Sequence, residues 1–414
     1  MKKKTVWIVN EYNFPDDENT RQTNLCKQLN SMGYDAYIIS GSTENKGEKN
    51  RISGKEKYSF VSTEEAKGFM IKTSDYRNSY QRVLVSLQYQ HRLWRLRKDL
   101  PNPDVIISDF AGLFGIVFLK WKKKYGIKLI YDILDLWPEA FVAMGYMKRE
   151  AILTKVLYLL EHKTYKAADG IIFSFQGGKD YINSKGWGTD VGGDIDTGRI
   201  GYLNNGVNLD VLDKQKTSFI FSDTDLESDQ YKAIYLGSVS DFNGLDVLVE
   251  AARVLKKREI DDIVILIYGY GNKEEELKSL AEKYELDNIK FKGKTDRKYA
   301  MSLLSRGDVT IFTFKDTGVL QYGVSPNKLF MYFASGKPVL SMVKPNYDLV
   351  EEKHAGISVD NDPEKVADAL VRFSKLSEEK YNEYCTNARK TAEEYDYKEL
   401  VKVLVDLIEG DNAI

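Results

Sequence analysis

Short apolar runs alternate with helical patterns from one end of this chain to the other, and the alternation happens twice. Residues 6–9, 36–39, 105–108, 129–133 and 170–174 are the strand candidates of the first half. Residues 233–236, 264–268, 289–291, 309–314 and 339–342 are those of the second. Strands spaced by helices in this way build parallel βαβ units, which argues against a sandwich or a bundle. Between the two series lies LNNGVNLDVLDKQKTSFIFSDTDLESDQYK, polar and without a clear period, which predicts a boundary near residues 208–230. The expected fold class is α/β: a Rossmann-like N-terminal domain over 1–207, a linker over 208–230 and a second Rossmann-like domain over 231–395. The stretch GWGTDVGGDIDTGRIG just before the boundary reads as a surface loop. Ligands of open parallel sheets sit at the carboxyl ends of the strands. Two such sheets facing each other predict a cleft, with the chemistry carried by the loops that open on it.

Length supports the division, since 414 residues exceed the roughly 100–200 of an ordinary domain. With 43% hydrophobic and 29% charged residues and eight prolines, the composition is that of a globular chain. Cys26 and Cys385 are far apart and lack metal-ligand spacing, which fits a reducing, cytoplasmic setting and speaks against a zinc site. The basic opening MKKKTVWIVNEYN resembles a leader only until its apolar run ends at Asn10 and Glu11, and no stretch reaches the roughly 18 apolar residues of a membrane span. The net charge of −2 and a pI of about 6.1 offer little to nucleic acid. Charge is nevertheless uneven, the first 200 residues carrying 31 Lys and Arg against 24 Asp and Glu. Much of that excess lies in residues 77–98, RNSYQRVLVSLQYQHRLWRLRK, which has no acid and interleaves Leu84, Leu87, Leu93, Trp94 and Leu96. Two readings stay open for it: a helix lying on anionic lipid as a peripheral membrane contact, or a core-facing helix with a solvated basic face.

The segment YGVSPNKLFMYFASGKPVL, residues 322–340, sets a lysine at the start of a short apolar helix. Ser325 reads as the N-cap, Pro326 as the first helical residue and Gly336 as the stop. The backbone N–H groups of Asn327, Lys328 and Leu329 then carry the positive end of the helix dipole. An anion there is held by those groups and by Lys328 together, which accounts for a cation placed against the dipole. The bland alternative is a capped helix whose lysine points into water. Two further glycine loops follow strands of the same half: Gly237 and Ser238 in YLGSVSDFNG, and Gly269, Tyr270 and Gly271 in IYGYGNKEE, where missing side chains let a ligand approach the backbone. In the first half, YDILDLWPEAFVAMG places Asp135 and Glu139 on a loop after a strand, either as carboxylates that orient an acceptor hydroxyl or stabilise an oxocarbenium-like centre, or as charge caps of the helix that follows. His91, His162 and His354 have no evident partners and are not expected to act as bases.

These stretches, YLGSVSDFNGLDVLVEAARVLK, YGYGNKEEELKSLAEKYELDNIKFKGK, SPNKLF, DLWPEAFVAMG and LNNGVN, resemble retaining glycosyltransferases of family 4. The likeness is greatest to the branch that builds bacterial capsule or O-antigen units, N-acetyl-fucosamine transferases included, and it runs over about residues 5–400. The resemblance implies a GT-B fold, a nucleotide sugar on the C-terminal domain, an acceptor on the N-terminal one, and neither metal nor cofactor. It also implies that a final helix, residues 396–414, packs back on the N-terminal domain. It gives Lys328 the role of stabilising the leaving diphosphate, brings Gly237 and Ser238 to that diphosphate, has Lys294 and Thr295 flank the base, and places Thr20 and Arg21 in the loop near the transferred sugar. Departures stand beside it. Ser238 and Asn243 occupy places where many members carry an arginine and a lysine, which shifts the burden to Lys328, with Lys315 or Arg21 as further candidates. Met331 and Gly323 stand where acids are usual, Leu134 stands where many have histidine, and FPDDENTRQ lacks the branch's glycines.

The expected function is metal-independent, retaining transfer of a sugar from a nucleotide diphosphate, UDP-linked, to a glycan or lipid-linked acceptor in surface polysaccharide synthesis. The expected setting is cytoplasmic or peripheral on the inner face of the plasma membrane. Two rivals remain: a nucleotide-sugar epimerase on the same fold, and a degenerate nucleotide-binding or scaffold subunit.

Overall fold

The computed structural model describes residues 3–45, 47, 49–109, 111–315 and 318–410. Two compact units divide it. One runs up to Asn204 and resumes at Tyr397; the other is Asn205–Asp396. The stretch 208–230 thus lies inside the second unit, where it holds the helix Leu209–Ser218, capped by the Asn208 side chain. Leu209 and Leu212 bury one side of that helix, so what reads as an aperiodic linker is partly a short helix with a narrow apolar stripe.

The first unit holds strands β1 (Thr5–Val9), β2 (Asp35–Gly41), β3 (Tyr58–Ser62), β4 (Lys67–Ile71), β5 (Val105–Ser108), β6 (Lys128–Ile133), β7 (Gly170–Phe173) and β8 (Ile200–Tyr202). They form one sheet in the order β3-β4-β2-β1-β5-β6-β7-β8, parallel except for the edge strand β3. Strands β1, β5 and β7 are buried along their whole length, as a sheet covered on both faces requires. The end of the glycine-rich stretch enters β8, and its Trp187 packs against the rings of Tyr181 and His162. Leu407, on the helix Tyr397–Glu409, packs where Gly170 and Gly201 lack side chains: a Cβ on either glycine lies within 3.4 Å of it. Glu409 at the end of that helix accepts from Tyr34 Oη at 2.6 Å, which anchors it.

In the second unit, β9 (Tyr231–Leu236), β10 (Ile263–Tyr268), β11 (Ile289–Gly293), β12 (Val309–Phe312), β13 (Val339–Ser341) and β14 (Gly356–Ser358) make a wholly parallel sheet ordered β11-β10-β9-β12-β13-β14. The direction of winding reverses between β9 and β12 here, and between β1 and β5 in the first unit. Loops leaving the carboxyl ends of strands on either side of such a reversal diverge and leave a crevice, the usual place for a ligand. On the helix Ser79–Leu96, Val85, Tyr89, Leu93 and Leu96 face the core while Leu84 and Leu87 are exposed, so the basic helix is anchored along one face from Val85 onward.

Candidate functional site

At the reversal of the second sheet, the loops after β9 and β12 meet the helix Asn327–Ser335. Tyr332 fixes that helix to the end of β9, donating from Oη to Leu236 O at 3.0 Å and accepting from Leu236 N at 3.1 Å. Ser325 is not its cap, contrary to the expectation. Pro326 occupies the N-cap position without a side-chain bond, and Ser325 Oγ accepts instead from the backbone N–H of Asn205 at 3.0 Å. Asn205 Nδ2 also donates to Ser325 O at 2.6 Å. Leu329 N–H is satisfied by Pro326 O at 3.1 Å, whereas those of Asn327 and Lys328 make no hydrogen bond among the described residues. Two donors are thus left at the positive end of the dipole.

Lys328 is held beside them. Its Nζ donates to Thr313 O at 2.7 Å and to Asn243 Oδ1 at 2.8 Å, and lies 5.1 and 5.5 Å from the ring centroids of Tyr235 and Phe312. Burial among these groups pulls the ammonium down to about 7. Asn243 is oriented by its other end: Nδ2 donates to Ser238 O, Ser238 Oγ and Ser240 Oγ at 2.8–3.0 Å, which leaves only Oδ1 for the lysine. Ser238 and Asn243 are therefore the scaffold of Lys328. Lys315 is exposed, and its backbone N–H donates to Phe242 O at 2.7 Å.

The glycine loops pair with each other. Gly237 N–H donates to Tyr268 O and Val239 N–H to Tyr270 O, each at 3.0 Å, extending the sheet past its strands. A Cβ on Gly269 comes within 1.7 Å of Gly237 O, and one on Gly271 within 2.1 Å of Val239 O. These glycines admit a neighbouring loop, where the expectation was a ligand. Tyr270, between them, presents an exposed ring with Lys294 Nζ 5.4 Å from its centroid; Thr295 is half-buried nearby in sequence. Gly323 has φ 99° and ψ −175°, a conformation that disfavours any side chain, an acid included, on backbone grounds alone, and Met331 is half-buried on the helix.

In the first unit, Thr20 and Arg21 have structural employment. Thr20 caps the helix Arg21–Ser31 in a reciprocal pair with Thr23. Arg21 makes a two-pronged ion pair with Asp132 at 2.8 and 3.0 Å and donates to the carbonyls of Leu203 and Asn204. Its guanidinium is 5% exposed, so it is spent on the core and not free for a sugar or a diphosphate. Glu139 is likewise engaged. Burial opposes its charge, yet Arg149 (2.6 Å), Lys185 and Tyr158 hold its carboxyl down to about 2. Asp135, four residues earlier, is exposed and makes no hydrogen bond or ion pair among the described residues, and partial desolvation by the protein around it raises its carboxyl from the ordinary value.

The sequence reading overlooked Glu11 and Asp109, which follow β1 and β5 at the reversal of the first sheet. Asp109 accepts from Asn10 Nδ2, its Oδ1 is buried without a partner among the described residues, and burial together with Asp132 and Glu11 drives it well above the carboxylate range. Glu11 accepts from Ser86 and is raised by burial to about 7. An acid at a strand's carboxyl end, as in IISDF, was the available signal.

Against known proteins, residues 19–211 match the model of Glycosyltransferase Family 4 and residues 216–391 that of Glycosyl transferases group 1. An uncharacterized glycosyltransferase of Methanocaldococcus jannaschii, MJ1069, is 26% identical over 175 residues, which span 41% of this chain and only 43% of that protein. Among solved structures, the E. coli trehalose-6-phosphate protein bound with UDP-2-fluoro glucose superposes with a TM-score of 0.71 at 12% identity, over 99% of this chain and 100% of the other. WaaG, a glycosyltransferase involved in lipopolysaccharide biosynthesis, does so at 0.64 and 14%, over 98% and 100%.

Proposed function

From the premise that this chain belongs to the glycosyltransferases, a family 4 domain joined to a group 1 domain on a GT-B fold, we propose that it transfers a sugar from a nucleotide diphosphate donor, UDP-linked, to a glycan or lipid-linked acceptor, with retention and without a metal. The observation that carries this is the anion receptacle of the second unit: Lys328 Nζ beside two undonated N–H groups at a helix start. A diphosphate leaving group needs positive charge as its bond to the anomeric carbon breaks, and preorganised donors supply it without reorganisation. In this scheme the acceptor oxygen bonds to the anomeric carbon on the face the diphosphate leaves, and its proton passes to a diphosphate oxygen. Tyr270 offers a face for the base, while Gly237 and Ser238 line the approach of the diphosphate.

The acceptor is assigned to the first unit, where Asp135, unlike Glu139, has no competing partner among the described residues. Glu139 becomes a positioning residue, since its ion pairs fix the start of the helix Glu139–Ala143. The cellular role in this reading is capsule or O-antigen synthesis on the cytoplasmic side. Isothermal titration with UDP, followed by NMR of a UDP-sugar incubated with and without acceptor glycans, tests it. Binding that disappears in Lys328→Ala, with donor consumed only when acceptor is present, is expected. An epimer formed from donor alone assigns the scaffold to an epimerase. UDP binding without consumption under any acceptor assigns it to a binding subunit, the reading that Met331 in place of a ribose-binding acid favours.

A further inference from the structure

The helix Ile152–Ala167 is mixed on its inward face and apolar on its outward one. Inward it buries Thr154, Glu161 and Thr164, all fully enclosed, together with Leu157 and Tyr165. Two of these serve the interior: Thr164 Oγ1 accepts from Gly112 N at 2.9 Å, and Glu161 accepts from Tyr181 Oη at 3.0 Å. Its outward face carries aliphatics at one helical spacing, Ile152, Val156 and Leu159, with Leu153 alongside, and these are 82%, 44%, 66% and 64% exposed. A water-facing helix is polar on that outward side. The segment before it continues the surface: Phe141, Met144 and Tyr146 are all exposed, with the rings of Phe141 and Tyr146 6.2 Å apart. Arg149 and Tyr158 both bond to Glu139, which ties that segment to the helix.

Charge identifies what covers this face. Lys148, Lys155 and Lys163 are exposed in and around the stripe and form no ion pair among the described residues, and Glu150 is the only exposed carboxylate from residue 140 to residue 163. Lysines flanking an exposed stripe of aliphatic and aromatic side chains complement an anionic, apolar surface. No helix among the described residues is long and apolar enough to cross a membrane, and at 16 residues this one is suited to lie along a surface, not to span it. We propose that the outer face of Ile152–Ala167, with the Phe141–Tyr146 segment, docks on an anionic lipid bilayer. The proposal does not rest on which sugar moves, or on whether one does: a protein that binds no nucleotide leaves it intact.

Flotation of the full chain with vesicles of phosphatidylcholine alone, or of phosphatidylcholine with phosphatidylglycerol, at low and high salt tests it. Binding to the anionic vesicles that weakens with salt is expected. Removing two exposed aliphatics in Ile152→Asn with Leu159→Asn should lower the partition by about tenfold or more. Lys148→Glu with Lys155→Glu, at exposed positions that leave folding intact, should abolish the preference for anionic vesicles. No flotation of the parent chain overturns the proposal. So does flotation that both double variants retain but that Leu84→Asn with Leu87→Asn, on the basic helix Ser79–Leu96, removes. A parent chain that sediments as a dimer and becomes monomeric with Ile152→Asn and Leu159→Asn gives the face to a second copy, and overturns it as well.

Discussion

Lys328 and Asn243 share one hydrogen bond, 2.8 Å from Nζ to Oδ1, and through it a loop after β9 fixes a cation at the start of a helix 85 residues later. Neither residue could do this alone. Asn243 has spent its donor on Ser238 and Ser240, so its carbonyl end is the only partner it can offer, and a lysine is the side chain that can answer it. The ammonium is held against its own desolvation and against the dipole, which makes an anion its natural complement.

Lys328→Ala should therefore lower turnover by about 100-fold or more, as loss of a preorganised donor to a developing anion does. Unfolding midpoints should fall little, because the ammonium costs the fold more than it contributes. Steady-state kinetics and thermal melts on the same preparation check both halves; unaltered turnover removes Lys328 from the chemistry.

Proton linkage gives a second test. The unfolded lysine titrates near 10.5 and the folded one at about 7, so between those values the unfolded chain binds more protons and stability from this group rises with pH. Below about 7 its cost is fully present. A bound diphosphate favours the charged form, so UDP binding at pH 8 should take up a proton, and affinity should decline as pH climbs above 7. Titration calorimetry at pH 8 in buffers of different ionisation enthalpy measures the uptake directly. Lys328→Met should show none.

Asn243→Asp places a carboxylate 2.8 Å from Nζ. It should raise the lysine's proton affinity while repelling diphosphate, with UDP affinity down about tenfold or more. Asn243→Ala loosens the lysine without adding charge, and should raise the donor KM more than it lowers kcat. Equal affinity in parent and Asp variant places the diphosphate elsewhere.

For Arg21 the expectation is structural. Breaking a buried ion pair by removing one partner costs about 3–5 kcal/mol, so Arg21→Ala should lower the denaturant midpoint sharply, and Asp132→Ala should do the same. Both together should cost less than the sum of the two. A stable Arg21→Ala that loses only sugar transfer would restore the role the sequence suggested.

How far the site could be read from sequence depended on distance along the chain. The buried strands were legible because a parallel sheet covered on both faces writes them as unbroken apolar runs, such as IVILIY at Ile263–Tyr268. The strand Tyr58–Ser62 lies at the sheet edge and is half exposed, and Lys67–Ile71 beside it opens on Lys67 and Gly68; Ile200–Tyr202 and Gly356–Ser358 are only three residues each. None carries such a run. The SPNKLF turn announced its lysine because proline, helix start and cation are adjacent. That Ser325 serves Asn205, 120 residues away, and Arg21 serves Asp132, 111 away, has no local trace. Glycines 269 and 271 were recognised as places of close approach, but what approaches is a parallel loop that only the strand order reveals.

Asp135 and Glu139, four residues apart and chemically alike, should separate on mutation. Glu139 is held to about 2 by Arg149, Lys185 and Tyr158, so its share of stability is complete above about 4.5 and disappears as pH falls toward 2. Glu139→Gln should remove that acid-side dependence, lower stability by about 1–3 kcal/mol, and reduce turnover only as far as the loop loosens. Asp135 has no such partners to disappoint. Asp135→Asn should leave the melting curve and UDP affinity unchanged while reducing kcat by about 100-fold or more, the scale of a lost acid–base or charge-stabilising group. Melting curves from pH 3 to 8 beside turnover of each variant decide between them. If Glu139→Gln lost activity at full stability while Asp135→Asn stayed active, the two roles would have to be exchanged.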